Sequence, residues 1–350
     1  MKVGILTGGG DCPGLNGVIR GAVYRGILNH DMEFVGLKFG WRGLLEMMYR
    51  PLGLDDVREI LPVGGTILRT SRTNPTKTEE DARIALANFH ELGLDALIAI
   101  GGEDTLGAAY RLWQMDDSFA VVGVPKTIDN DLSGTDITFG FDTAINIATE
   151  AIDRLRTTAR SHNRVIVVEL MGRNAGWITM EAGLAGSADI ILVPEKPFDL
   201  DKDLLEPLKE LHEAGREYAI VAVSEGAKIE VDEDVDGSLF FQDAERDEFG
   251  HIRLGGIGKI LSNEIEERID WESRHVVLGH LQRGGAPTAF DRVLSTRFGI
   301  AAADAVAEGK SGVMVSLRGT DVIAVDMTDE IKDIRRLSQN WLDIKDLFRK

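Results

Sequence analysis

The stretch Lys2-Val3-Gly4-Ile5-Leu6-Thr7-Gly8-Gly9-Gly10-Asp11-Cys12-Pro13-Gly14-Leu15-Asn16 decides the fold. A short apolar run breaks into glycines, and a segment with helical apolar spacing, 15–28, follows. Strand, glycine turn and helix in that order open an α/β unit. The alternation continues outward. Further β-branched runs fall at 33–38, 95–100, 119–124, 164–170, 189–193, 218–224, 274–278 and 312–317, with helical spacing at 79–92, 142–158, 201–213, 257–269 and 293–307. Strands that are apolar throughout need cover on both faces, which predicts doubly wound, largely parallel sheets. Some nine strands predict two Rossmann-like domains with the active site in the cleft between them. Their expected bounds are about 1–140 plus 282–305 for one domain, and about 141–281 plus 306–350 for the other. The most acidic block, 229–248, reads as an exposed insertion.

Composition narrows the function. A length of 350 residues exceeds what one core usually holds. With 39 Lys+Arg against 58 Asp+Glu the formal net charge is −19, which repels phosphate backbones and anionic lipid, so neither nucleic acid nor membrane is the expected partner. A single cysteine, Cys12, forms no internal disulfide and builds no zinc site alone, which points to a reducing compartment or to indifference to redox. No apolar run approaches the ~20 residues of a membrane helix. The first strand breaks into glycines too early for a signal peptide, and a cytoplasmic location is expected.

In doubly wound folds ligands collect at the carboxyl ends of strands, so the loops after strands carry the chemistry. Gly8–Gly14 can bring backbone N–H groups close to an anion at a helix N-terminus, although a tight turn needs the same residues. It is no dinucleotide fingerprint, because Pro13 stands where glycine is required, and Gly309-Lys310-Ser311 is no Walker loop, because Asp304 replaces its first glycine. Gly101-Gly102-Glu103-Asp104-Thr105 sets two carboxylates at a helix start; they are caps, or Glu103 holds Mg²⁺ against a phosphoryl group. Lys126-Thr127-Ile128-Asp129-Asn130-Asp131 joins a cation, a hydroxyl and two carboxylates, which point the same way if the segment is extended. Together the loops describe Mg²⁺-aided phosphoryl transfer.

These motifs resemble the bacterial-type phosphofructokinases: Gly9-Gly10-Asp11-x-Pro13-Gly14-x-Asn16, 101–105, 127–131, Gly64-Gly65-Thr66 with Arg72, Met171-Gly172-Arg173, and Leu278-Gly279-His280-Leu281-Gln282-Arg283-Gly284-Gly285. The resemblance runs to about residue 317. It implies transfer of a phosphoryl group to the C1 hydroxyl of fructose 6-phosphate, with Asp129 as the base and Thr127 and Asp131 beside it. It implies that Arg164, Met171, Glu225, Arg274, His280 and Arg283 bind the sugar phosphate, with Arg164 and Arg274 supplied by a neighbouring subunit of a homodimer or homotetramer. Gly10, Arg72 and Arg173 match groups on the donor and transition state. Arginine suits this work because its planar fork meets phosphate oxygens in pairs. His30, His90, His212 and His251 are given no role.

Two positions address the donor. ATP-using members resemble Gly-Gly-Asp-Gly-Ser in the second loop and carry glycine before the Thr-Ile-Asp-Asn-Asp loop; here Asp104 and Lys126 occupy those places. A carboxylate at 104 fills space and repels an α-phosphate, while Lys126 supplies a cation. With Thr105 they resemble the donor site of the pyrophosphate-dependent members, and Asp104 carries most of that inference. The expected reaction is reversible, with Mg²⁺ as cofactor. The basic effector site of the ATP-using enzymes is matched by Arg20 and Arg156, but Tyr24 replaces an arginine and 214–218 lacks most of its lysines, so weak allosteric control is expected. Two alternatives stand beside this reading: an ATP-dependent phosphofructokinase, and a regulatory protein that binds a sugar phosphate without turning it over. A nicotinamide-dependent oxidoreductase is disfavoured by Pro13.

Overall fold

The structure, a computed structural model, describes residues 1–230, 256–328 and 333–347; from residue 231 on, the acidic block lies outside them, as does His251. Eleven strands form among the described residues: β1 (Lys2–Thr7), β2 (Glu33–Leu37), β3 (Tyr49–Leu52), β4 (Ala96–Gly101), β5 (Val121–Pro125), β6 (Val165–Leu170), β7 (Ile190–Leu192), β8 (Ala219–Ser224), β9 (Ser273–Val277), β10 (Val313–Arg318) and β11 (Asp321–Asp326). The α-helices are α1 (Leu15–His30), α2 (Trp41–Leu45), α3 (Leu54–Val57), α4 (Glu79–Glu91), α5 (Glu103–Met115), α6 (Phe141–His162), α7 (Trp177–Ala185), α8 (Glu206–Glu213), α9 (Ile257–Ile269), α10 (Ala289–Ala307) and α11 (Gln339–Leu347). A π turn, Asp201–Leu205, precedes α8, whose second residue Pro207 has no N–H to give an α-type bond.

The fold class is as expected. One sheet has the order β11-β10-β5-β4-β1-β2-β3 and the other β7-β8-β6-β9. Strands β10, β5, β4, β1 and β2 run parallel, as do all four of the second sheet. The edge strands β3 and β11 are antiparallel and lie outside the nine apolar runs for a physical reason. An edge strand keeps one side wet: β3 carries Pro51, which an edge tolerates, and β11 alternates exposed and half-buried residues. β9 is an edge too, with Arg274, His275 and Val277 exposed, so 274–278 is not the fully buried run that its composition predicts. Conversely α7 is buried almost all round and gives no amphipathic signal.

The chain divides into two compact units. One comprises Met1–Ile128, Leu132–Thr143 and Arg283–Ile334, the other Asp129–Asp131, Ala144–Gln282 and Arg335–Lys350. The expected assignment of 306–350 to the second domain is therefore corrected for 306–334, while 335–350 falls in the second unit. Val313 and Met314 of β10 pair with Val122 and Gly123 of β5, and β10 carries β11 as its antiparallel neighbour, which holds 313–326 in the first sheet. Each unit has its own core: Leu6, Leu37, Trp41, Phe89, Leu97 and Phe119 in the first, and Val167, Leu192, Leu208, Val221, Leu261 and Trp271 in the second. Among the described residues no helix is long and apolar enough to cross a membrane.

Candidate active site

In the first unit the three predicted loops leave the carboxyl ends of neighbouring strands β1, β4 and β5. The glycines are needed where they stand: a Cβ on Gly8 would lie 2.5 Å from Thr105 Oγ1, and one on Gly10 would lie 2.6 Å from Arg283 Nη1. The N–H groups of Gly8 and Gly9 donate to the carbonyls of Ile100 and Ser71 at 2.9 and 3.0 Å. They are engaged by the protein itself, which narrows the expected anion cradle to Gly10 and the residues after it. Lys126 is 4% exposed and its Nζ donates to the Gly10 carbonyl at 2.5 Å. Its own N–H donates to Gly101 O at 2.9 Å, which ties the second and third loops together. Glu103 and Asp104, half-buried, form the first turn of α5, where the helix dipole favours negative charge. Thr105 is buried under Gly8 and Gly101.

Arg283 also belongs here. Its guanidinium covers Gly10 and donates to Asp11 O at 3.3 Å, so the structure sets this side chain on the glycine loop. Thr70 Oγ1 donates to Gly9 O at 2.5 Å, bringing the segment that carries the exposed Arg72 to the same loop. Asn16, buried, clamps that arrangement by donating to Val63 O and accepting from Ile67 N–H, both at 2.9 Å. Asn16 is in the motif, but only the fold reveals its job as a clamp.

In the second unit, β8, β6 and β9 are adjacent, and their carboxyl ends carry Glu225, Met171 with Arg173, and His280. Glu225 N–H donates to Leu170 O at 2.8 Å, and Gln282 Oε1 accepts from Met171 N–H at 3.3 Å. Burial and the negative charge of Asp129 push the Glu225 carboxyl up to about 7, against the pull of the Gly172 N–H and Arg173. Asp129 and Glu225 therefore sense each other. Asn130 between the two aspartates has φ 52, a left-handed turn, so the segment is not extended and strand alternation does not align Asp129 with Asp131. Asp131 instead accepts the Arg335 N–H on its carbonyl at 2.8 Å, and Thr127 O accepts from Thr138 Oγ1 at 2.8 Å.

Arg164 and Arg274 are not gathered with these groups. Arg164 precedes β6 and Arg274 is the second residue of β9, so both stand at the amino ends of strands whose carboxyl ends carry Met171 and His280. A six-residue strand spans about 20 Å. The two arginines share Glu272, at 3.1 and 2.9 Å, and Arg274 also pairs with Glu266 at 2.7 Å.

The residues matched to an effector site have local partners. Arg20 lies over the Tyr24 ring at 4.6 Å, Arg156 donates to the carbonyls of Gly186 and Ser187 after α7, and Arg216 pairs with Asp189 at 2.7 Å. Cys12 is buried and its thiol pushed up to about 12 by burial, which makes it a small apolar filler rather than a nucleophile. Among the described residues no group of three or more His, Cys, Asp or Glu side chains is placed to hold a metal ion.

A doubly wound pair of units with a lysine and an arginine on a glycine loop defines a class of phosphate-handling α/β proteins. The comparisons narrow the class. Residues 2–306 match the family described as phosphofructokinase. The chain is 56% identical over 349 residues to the pyrophosphate–fructose 6-phosphate 1-phosphotransferase of Amycolatopsis methanolica, covering 99% of each chain. It is 50% identical over 335 residues to ATP-dependent 6-phosphofructokinase 3 of Streptomyces coelicolor, covering 96% of each. Among solved structures, phosphofructokinase from Pichia pastoris in the T-state matches with a TM-score of 0.80 at 30% identity. The match takes in 94% of this chain and only 35% of the far longer yeast chain. This chain belongs to the phosphofructokinase family.

Proposed function

We propose that this chain transfers a phosphoryl group from inorganic pyrophosphate to the C1 hydroxyl of fructose 6-phosphate, reversibly. Asp129 takes the hydroxyl proton, the C1 oxygen forms a bond to one phosphorus, and the bridging P–O bond breaks to release orthophosphate. Gly10, Arg72 and Lys126 hold the donor and offset charge on its oxygens, the main task in phosphoryl transfer, and Arg283, expected on the sugar phosphate, joins them because its guanidinium covers Gly10. Thr127 and Asp131 steady the base, Arg173 offsets charge in the transition state, and Met171, Glu225 and His280 receive the sugar. The observation that carries the donor assignment is Asp104, held on the first turn of α5, where its carboxylate repels the longer phosphate chain of a nucleotide. Lys126, buried with its ammonium on the Gly10 carbonyl, supports it by supplying a cation beside the donor.

Mg²⁺ fits the donor set in the first unit. It keeps several waters and takes one or two carboxylates plus substrate phosphates, so Glu103 suffices where a cluster of three ligands would not be required. When bound, the ion neutralises charge on the donor oxygens.

We assign Arg164 and Arg274 to the sugar phosphate of a neighbouring subunit in a homodimer or homotetramer. Their place at the amino ends of β6 and β9, about a strand's length from Met171 and His280, supports that assignment. Weak or absent control by ADP or phosphoenolpyruvate follows from the positive charge missing at Tyr24 and in 214–218, and Arg156 and Arg216 already meet backbone carbonyls and Asp189. A cytoplasmic location accords with the single cysteine.

The deciding experiment is turnover of purified protein with Mg²⁺, fructose 6-phosphate and either donor. Fructose 1,6-bisphosphate is expected with pyrophosphate and not with ATP. Turnover with ATP alone would reverse the donor assignment, and sugar-phosphate binding with neither turnover would make the chain a regulatory binder.

Glu225 gives this reading a pH signature. Accepting a bond from a sugar hydroxyl requires its ionised form, and with the carboxyl at about 7 that form is scarce at pH 6 and dominant at pH 8. The kcat/KM for fructose 6-phosphate should therefore rise about tenfold over that interval beyond the change seen in Glu225→Gln, which shares the titration of the substrate phosphate. Parallel pH profiles for the two proteins would remove Glu225 from sugar recognition. The stability contribution has the opposite sign: a carboxyl raised above its unfolded value favours the folded state when protonated, so this stabilisation fades as pH climbs from about 4.5 through about 7.

A further inference from the structure

The segment after β11 lies beyond the family match, which ends at residue 306, yet it is fastened to the loop that carries Asp129. Where the chain is described again, Ser133 Oγ donates to Asp333 O at 2.7 Å, and Leu132 forms an antiparallel bridge with Ile334. The Arg335 N–H then donates to Asp131 O at 2.8 Å. The side chain of the same residue turns to Asn130, donating from Nη1 to Oδ1 at 3.2 Å. Asn130 is 2% exposed and is the left-handed residue that gives the loop its shape. Arg335 is held from the other side as well. Its guanidinium lies 4.5 Å from the Trp177 ring centroid, its carbonyl accepts from Trp177 Nε1 at 2.9 Å, and Trp341 of α11 meets Trp177 edge-on at 5.9 Å. Two residues further, Leu337 N–H donates to Glu195 Oε1 at 3.1 Å, and Glu195 also accepts from Gly176 at the start of α7.

We propose that Arg335 is a positioning residue for the base Asp129. Through its main chain and its guanidinium it fixes the turn at Asn130–Asp131, while Trp177, Trp341 and Glu195 fix Arg335. A carboxylate that must meet a hydroxyl within hydrogen-bond reach loses rate quickly when its loop samples other turns. The guanidinium is suited to the task because one planar group donates at its edge and stacks on its face. The inference rests on the phosphofructokinase reading and adds to it a residue from outside the matched region.

The test is steady-state kinetics of Arg335→Ala, Asn130→Gly and the double variant. Glycine at 130 keeps the left-handed turn accessible and removes the acceptor without touching the C-terminal segment. Each single variant should lose about 10- to 100-fold in kcat, with KM for both substrates within about twofold, and the double variant should lose no more than the worse single one. Millimolar guanidinium ion should restore part of the rate to Arg335→Ala and none to wild type. Full activity in Arg335→Ala, losses that multiply in the double variant, or a KM rise without loss of kcat would overturn the proposal. Wild-type protein silent with both donors would overturn the underlying reading and this one with it, whereas an active wild type with an unchanged Arg335→Ala overturns the positioning alone.

Discussion

Asp129→Asn should lower kcat by about 10²- to 10⁴-fold, the range that a general base contributes, while KM for both substrates stays within a few-fold. The amide keeps the shape of the side chain and loses only the capacity to take a proton. Because the C1 hydroxyl of the acceptor is a poor nucleophile while protonated, that capacity bears on the transition state and little on the bound ground state. A second effect separates this role from a structural one. The charge of Asp129 helps to raise Glu225 to about 7, so neutralising residue 129 should move the Glu225 titration towards its ordinary carboxylate range. Following the Glu225 carboxyl by NMR in the two proteins measures that shift without any turnover. Activity within about tenfold of wild type would mean that another group takes the proton.

Most of the strands and the three loops were legible because the physics that forms them is local. A parallel strand buried on both faces is written as a continuous apolar run, as at 96–101 and 219–224, and chemistry at the carboxyl ends follows from the fold class. The rest depended on non-local partners. Pairing of β10 with β5 assigns 313–326 to the first sheet, and no property of that segment alone announces it. Asp129 and Asp131 look aligned by spacing, and a single left-handed residue between them removes the premise. Arg283 sits in a run with His280, yet its guanidinium reaches the first glycine loop, 272 residues away from Asp11 in sequence. Arg335 gave no signal at all: one of two adjacent arginines in a polar segment, it reads as surface until Trp177 and Asn130 are placed around it.

Lys126→Gly should cost about 10²- to 10³-fold in kcat/KM for pyrophosphate, and Asp104→Gly with Lys126→Gly together should admit ATP as a donor, because the two residues answer two different questions. Lys126 answers what neutralises the donor. A lysine that is 4% exposed is costly to bury unless its charge is met, and its Nζ already lies on the Gly10 carbonyl where a donor phosphate is proposed to sit. Removing the cation leaves the charge on the transferring and leaving phosphates to Arg283, Arg72 and the metal, and a lost charge-assisted contact of this kind is worth about 3–4 kcal/mol in transition-state binding. Asp104 answers what is excluded. On the first turn of α5 its carboxylate needs no substrate to be stable, since the helix dipole favours it there, and its replacement by glycine should cost about 1 kcal/mol of folding stability through the lost dipole contact and the poorer helix propensity. The space and negative charge that it withdraws are those an α-phosphate and ribose require. Asp104→Gly alone should therefore weaken pyrophosphate use and admit some ATP, and the double variant should invert the preference. The ratio of kcat/KM for the two donors across the four proteins is the measurement. If that ratio is the same in the double variant as in the wild type, donor choice resides outside the two loops, and neither the bulk of Asp104 nor the charge of Lys126 accounts for it.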